Sequence, residues 1–534
     1  DCERDGSSFP PSVTMTPRRR PRMPRTVSTT LVVLFGLVAD DARALRAACP
    51  FGSRFQHRRR VVPKTLLTQM MTQTLTPPSS LTTDDATVVH SRSVMEMTPE
   101  TDAPSAALRR LATLPQATVW TEFGELARSL RDPPCNLGQG YPDWAPPPFA
   151  LDAVREACAQ VATHQYARSA GYPDLVETLA KRYTTHLGRP VDPYRDIAVT
   201  VGATQALLVA LLSLVDEDDE VVVLEPFFDL YWGQISLSGA TPKAVAMTLT
   251  EDRGFGLPDP DALAAALSSA RVLVLNSPHN PSGTVFSDDE MRSVAKLVLK
   301  ENERRKRSNQ RPLYVISDEV YKYVVHDNTT SHVHFAALPG MADYTLTVSS
   351  AGKTFSATGW QIGWIVGPPH PEEVGNGPPP SSGVIAAAHR LLPYLQFCAA
   401  TPMQAALALA LKKADEPYEG FQTYYHWLRD QYRRKRKTLV TALEDIDLKP
   451  LPGQGGYFVL ADIAAYVPHV PRRYLSPTPA KAHMTPDWAF CRWLAVDFGL
   501  VAIPASPFFS NTATDDDVAT RLVRFAFCKT DPTL

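Results

Sequence analysis

The sequence predicts an α/β protein built on a mostly parallel sheet. Three observations carry this. Short apolar runs bounded by turn residues alternate with helical patterns along much of the 534 residues. The residues with unusual chemistry fall just past the ends of those runs, where open α/β sheets bind ligands. One of them is a lysine, Lys353, set among Ser, Ala, Gly and Thr after a strand-like run, whereas lysines ordinarily keep a solvated head.

The totals narrow the function classes. The chain is long enough for two or more domains. Its net charge of −2 gives no reason to expect nucleic acid or a membrane surface as partner. Seven cysteines, an odd number with no C-x-x-C pair, read as reduced thiols. No zinc-like spacing is present and no metal is expected.

Residues 1–105 are set apart from the fold. Translation starts at Met15 or Met23 in this reading. A basic stretch from Arg18 to Arg22 precedes a short apolar run ending at Ala39 and an A-x-A site, Ala42-Arg43-Ala44. That is a signal-peptide pattern, too short to span a bilayer as a mature helix. Residues 42–83 then lack any acidic residue, a transit-peptide composition. The segment reads as a disordered leader to a plastid or, second, a mitochondrion. A misjoined gene model, with a cytoplasmic protein, is the alternative.

The remaining elements follow in order. Helical periodicity from Trp120 places Phe123, Leu126 and Leu130 on one side. A Gly-Pro loop from Asn136 to Trp144 brings Gly138, whose N–H suits a carboxylate. A loop with Tyr166 precedes a helix over 174–183. A strand over 196–201 leads through Gly202, Ala203 and Thr204 into an apolar helix, a turn that aims backbone N–H groups at an anion. The strand from Glu220 delivers Phe228 and Tyr231 to its end, and the strand over 270–276 delivers a turn containing Asn280. Asp318 ends an apolar strand, with Tyr321 three residues on. An unpaired buried carboxylate is costly, so it needs a cation. Lys353 follows a strand over 344–350 that contains Ser350. Its surroundings suit an amine that forms a Schiff base with pyridoxal phosphate; a snorkelling lysine is the bland alternative. Residues 370–383 read as a disordered surface insertion, residues 417–445 as a long helix, and 455–462 and 499–506 as later strands. Arg524 lies inside an apolar strand over 522–527, as a receptor for a carboxylate or half of a structural salt bridge. The basic runs 300–311 and 433–437 read as solvated helix faces.

From Ser349 to Trp364, and in the ordered motifs around Asn280, Asp318 and Arg524, the chain resembles class I aminotransferases. In particular it is similar to the branch of kynurenine aminotransferase, glutamine transaminase K and cysteine-conjugate β-lyase, over about residues 115–534. The resemblance implies the aspartate aminotransferase-like fold type I of pyridoxal-phosphate-dependent transferases. Its smaller domain would come from residues 106–145 and 416–534 and its large domain from 146–415. It further implies a homodimer with shared active sites, in which Tyr166 reaches the neighbouring subunit's cofactor phosphate. Phe228 would stack on the cofactor ring, Asn280 and Tyr321 would meet its O3′, and Asp318 its pyridine nitrogen. Gly202, Ala203, Thr204 and Ser350 would hold the phosphate. Arg524, Gly138, Asn280, Trp120, Tyr231 and Phe397 would bind a substrate with an aromatic or large apolar side chain. Two departures stand out. Gln361 occupies the position where the family carries a phosphate-clamping Lys or Arg, and the chain stops ten residues after Arg524, short of the family's final helix. The expected activity is transamination between an L-amino acid and a 2-oxo acid by ping-pong kinetics. A carbon–sulfur β-lyase and a catalytically impaired dimer are the alternatives.

Overall fold

Apolar strands and amphipathic helices build a seven-stranded sheet in the computed structural model. Residues 105–112, 118–130, 133–327, 329–370, 383–479, 481–510 and 518–534 are described. The leader expected over 1–105 lies, save for Ser105, outside them. So does the insertion expected between His370 and Gly383.

The large sheet comprises β1 (Ile197–Val201), β2 (Glu220–Glu225), β3 (Thr241–Ala246), β4 (Ala270–Asn276), β5 (Tyr314–Asp318), β6 (Thr345–Ser350) and β7 (Ile362–Val366). Their spatial order is β1-β7-β6-β5-β4-β2-β3. All neighbours are parallel except β7, which runs antiparallel to both β1 and β6. Strands β4 to β7 are buried along nearly their whole length, because helices cover both faces of such a sheet. The helix Gly202–Leu214 is apolar almost all round and packs Ala206, Leu207, Ala210 and Leu211 into that interior. A smaller antiparallel sheet holds β8 (Lys449–Pro450), β9 (Phe458–Asp462), β10 (Ile503–Pro504) and β11 (Leu522–Ala526), in the order β8-β9-β11-β10. Near the chain's other end, Cys135–Asn136 pairs in parallel with Leu500–Val501.

Two expectations need correction. The long helix runs Tyr424–Glu444 and not from 417, because Glu419 and Gly420 take left-handed φ angles of 49° and 80° in a turn closed by Tyr418 and Phe421. The basic runs are only partly solvated. Arg305 is 6% exposed, with its guanidinium on Glu301 and on the Leu267 and Ala270 carbonyls. Lys435 is buried beneath Trp144 and paired with Asp531 at 2.5 Å. Long basic stems cover apolar surface, so a charge run on a helix need not face water throughout.

Candidate active site

Three adjacent parallel strands converge the key residues. In register, Asn276 at the end of β4 lies beside Asp318 at the end of β5, and Asp318 lies beside Val348 of β6. Side chains just past these ends therefore share one cleft. Asn276 braces it: its Nδ2 donates to the Asp318 carbonyl at 2.9 Å, and its Oδ1 accepts from the Asn280 N–H at 2.7 Å.

Asp318 is buried, and among the described residues no cation lies within ion-pair distance. Its Oδ2 accepts from the Tyr231 hydroxyl at 2.7 Å, and its Oδ1 accepts from the Val320 N–H at 3.2 Å. Burial pushes the carboxyl up to about 6, against the pull of the Tyr231 hydrogen bond. Tyr231 was expected in the substrate side-chain pocket; its hydroxyl is instead engaged by the carboxylate, which holds Asp318 in one orientation.

Lys353 lies in the four-residue helix Ala351–Thr354. Burial lowers its amine to about 8. Its Nζ donates to the Gly140 carbonyl at 3.3 Å and lies over the rings of Tyr321 and Tyr457, at 5.8 and 5.6 Å from their centres. The Tyr457 hydroxyl donates to the same carbonyl at 2.7 Å. Tyr321 is buried and packs edge-on against Tyr457, and burial raises its hydroxyl's pKa. Ser350, buried, immediately precedes this short helix.

The turn after β1 is shaped by close backbone approach. Gly202 has φ 71°, and a Cβ there would lie 2.5 Å from Gln361 Oε1. A Cβ on Gly363 would lie 2.4 Å from the Gly202 carbonyl carbon. Gln361 itself therefore stands against the turn formed by Gly202, Ala203 and Thr204. Its Nε2 donates to the Thr358 carbonyl at 2.5 Å. Thr204 and the half-buried Phe228 line a cavity of about 680 Å³ together with Trp120, Asp229 and Trp232.

Arg524, on β11, is 1% exposed. Its Nη1 donates to Asn280 Oδ1 and its Nη2 to the Gly138 carbonyl, both at 3.1 Å. The rings of Phe458, Trp120 and Phe508 surround the guanidinium at 4.0, 4.9 and 4.9 Å. Among the described residues it has no carboxylate within ion-pair distance, and its Nε lacks a hydrogen-bond partner. Burial lowers it to about 10. Among the described residues the structural salt bridge is thus absent, and the guanidinium, whose two terminal nitrogens each make one hydrogen bond, keeps further N–H donors for a carboxylate. Gly138 differs from expectation: its N–H donates to Asn136 Oδ1 at 3.1 Å, so its carbonyl, not its N–H, faces the arginine.

Two expected residues stand away from this cleft. Tyr166 is 80% exposed and Phe397 54% exposed, and they pack on each other with ring centres 4.5 Å apart. Phe397 therefore does not line the pocket of its own chain. Sequence reasoning missed Asn276, Gly140, Tyr457, Phe458 and Phe508. The Gly455-Gly456-Tyr457 step into β9 was a signal for the third; Phe508 carried none.

A large mostly parallel sheet with a buried aspartate and a part-buried lysine at its strand ends, faced by a buried arginine from the smaller sheet, defines an α/β enzyme acting on a small anionic substrate. The model of the aminotransferase class I and II family matches residues 132–532, and the chain belongs to that family. It is 35% identical over 430 residues to a kynurenine–oxoglutarate transaminase of Dictyostelium discoideum, covering 78% of this chain and 92% of that protein. Its structure resembles N-succinyldiaminopimelate aminotransferase from Mycobacterium tuberculosis, with a TM-score of 0.65 and 35% identity over 79% of this chain and 96% of that one. It also resembles an Escherichia coli protein described with a methionine aminotransferase function, with a TM-score of 0.64 and 31% identity over 82% and 97%. The fold is aspartate aminotransferase-like, and the protein is an aminotransferase.

Proposed function

We propose that this aminotransferase uses pyridoxal phosphate and takes its amino group from an L-amino acid with an aromatic or large apolar side chain, kynurenine, methionine and glutamine among the candidates. The observation that carries the reading is Asp318: a carboxylate fixed by Tyr231 in a dry site, without a cation of its own, suits a protonated pyridine nitrogen. The other donors fit the same group. Lys353 offers an amine near 8, Tyr321 and Asn280 offer polar groups, Phe228 offers a ring face, and the Gly202 turn with Ala203, Thr204 and Ser350 offers a small-residue cradle for phosphate. Bound there, the cofactor would supply an electron sink for charge developing at the substrate Cα.

The chain's own residues account for the rest. Arg524 binds the substrate carboxylate through its fork, in a box of three rings that excludes water. Near pH 8 a large fraction of Lys353 is uncharged, so its Nζ can take the Cα proton as general base and return one as general acid. Trp120 donates from Nε1 to Asp229 at 2.7 Å, which fixes one wall of the substrate pocket. Tyr166 and Phe397, an exposed aromatic pair, meet a second copy of this chain in a homodimer with shared sites. Gln361 leaves the phosphate without a charged clamp, so cofactor affinity is lower than with Lys or Arg. The mature protein resides in a plastid or mitochondrion. Carbon–sulfur lysis has no observation in its favour over transamination.

The test is a visible absorption spectrum of the protein with pyridoxal phosphate, before and after kynurenine or glutamine is added. A cofactor band that shifts on adding donor, with release of the matching 2-oxo acid, supports the reading. Absence of any band, in the wild type and in Gln361→Lys alike, overturns it.

A further inference from the structure

The residue after Asp318 has an unrelated set of partners. Glu319 is 1% exposed. Its Oε1 accepts from the Ser317 hydroxyl at 3.0 Å and the Phe335 N–H at 3.4 Å. Its Oε2 accepts from His334 Nδ1 at 2.6 Å, and His332 Nε2 lies 3.1 Å from that same oxygen, off the direction of a hydrogen bond. The His332 side chain is 7% exposed, and among the described residues neither of its ring nitrogens has a hydrogen-bond partner. The three donor atoms lie within 4.8 Å of one another. Next to them the His186 ring stacks on His334, with centres 4.6 Å apart, and its Nδ1 also lacks a partner among the described residues. Buried polar atoms are ordinarily satisfied, and an imidazole beside a buried carboxylate with neither nitrogen hydrogen-bonded among the described residues calls for a ligand.

The geometry points to a binding site for one divalent transition-metal ion of the zinc class, held by Glu319 Oε2, His332 Nε2 and His334 Nδ1. Zinc binds imidazole nitrogen and carboxylate oxygen at about 2.0–2.2 Å, which spaces ligand atoms roughly 3.3 Å apart in a tetrahedron. The present separations of the two nitrogens from Glu319 Oε2, 2.6 and 3.1 Å, lie within an ångström of that, and all three atoms lie within 4.8 Å of one another. Two nitrogens and one oxygen also argue against magnesium or calcium, which require shells of oxygen. Binding asks His334 only to move its proton from Nδ1 to Nε2. Lys322 does not compete for the carboxylate, because its Nζ donates to the Tyr183 hydroxyl at 3.0 Å and lies 4.3 Å from that ring's centre. The fourth position falls to water; His186, stacked on His334, also lines a groove of about 850 Å³. The spacing 319, 332, 334 matches no zinc-finger pattern, which is why no metal was expected from the sequence.

The test uses the full chain, stripped with a chelator and titrated with Co²⁺ and then Zn²⁺. The expected result is one Co²⁺ per chain with the visible bands of tetrahedral cobalt, displaced by Zn²⁺. His332→Ala should weaken binding by more than the roughly 10–100-fold that follows loss of an outer-sphere partner. Its circular dichroism and melting temperature without metal, read beside the affinity, show that the variant is folded. X-ray absorption of the zinc-loaded wild type supplies a reading that needs no variant: nitrogen and oxygen neighbours at about 2.0–2.2 Å and no sulfur. No bound ion, unchanged affinity in a folded His332→Ala, or a sulfur shell pointing to cysteines would each overturn the assignment.

Discussion

Asp318 and Glu319 are neighbours in sequence and both buried, yet their carboxyl groups are pushed in opposite directions. Asp318 has a tyrosine and one backbone N–H, and burial lifts it to about 6. Glu319 is held well below the ordinary carboxylate range by His334 and His332, which outweigh its own burial. Burial alone therefore does not set the sign of a pKa shift; the partners do. The Asp318 side keeps its charge uncompensated and ready for a ligand's cation. The Glu319 side gathers nitrogen donors around an anion.

The largest effect expected is on the Asp318 side. Lys353→Ala should lower turnover by about 10²–10⁴-fold, the span of a lost general acid/base, while the urea midpoint of the protein changes little. Steady-state rates with kynurenine and an oxo acid check this. Glu319→Ala should do the reverse, costing about 3 kcal/mol of stability in urea unfolding, because it strips His334 of its acceptor and His332 of the carboxylate beside it. A Glu319→Ala protein as stable as wild type would break the comparison.

Arg524→Lys comes next. A lysine cannot reproduce the fork, and losing one charge-assisted hydrogen bond of about 1.5–3 kcal/mol should lower kcat/KM about 10–100-fold without changing the cofactor spectrum. Gln361→Lys should act in the other direction, tightening cofactor binding by up to a similar factor, measured by equilibrium dialysis.

A pH series sharpens the comparison further. Burial holds His186 at about 2 and both His279 and His326 at about 3, against 6.5 in an unfolded chain. The unfolded state thus takes up protons first, and stability should fall as pH drops below about 6.5. The slope is about 1.4 kcal/mol per pH unit for each such proton. Asp318, raised from 3.8 to about 6, works the other way: the cofactor-free folded state binds its proton first, which adds stability as pH falls through 6. Urea midpoints between pH 7 and 4.5 should therefore fall for wild type, and fall more steeply for Asp318→Asn.

Much of this protein was legible in its sequence. Period and punctuation set the strands of the large sheet, because a buried parallel strand must be a short apolar run ended by turn residues. The same rule put Asp318, Lys353 and Asn280 at strand ends, and Arg524 inside a strand too apolar for an idle charge. What the sequence could not determine was the choice of partner. Tyr231 meets Asp318 across 87 residues, and Arg524 meets the Gly138 carbonyl across 386. Phe397 turns to Tyr166 at the surface, and His332 and His334 close on Glu319. Local pattern records whether a side chain is buried and on which element it stands. Which distant segment packs against it depends on how all the elements share one interior, and that only the tertiary structure decided.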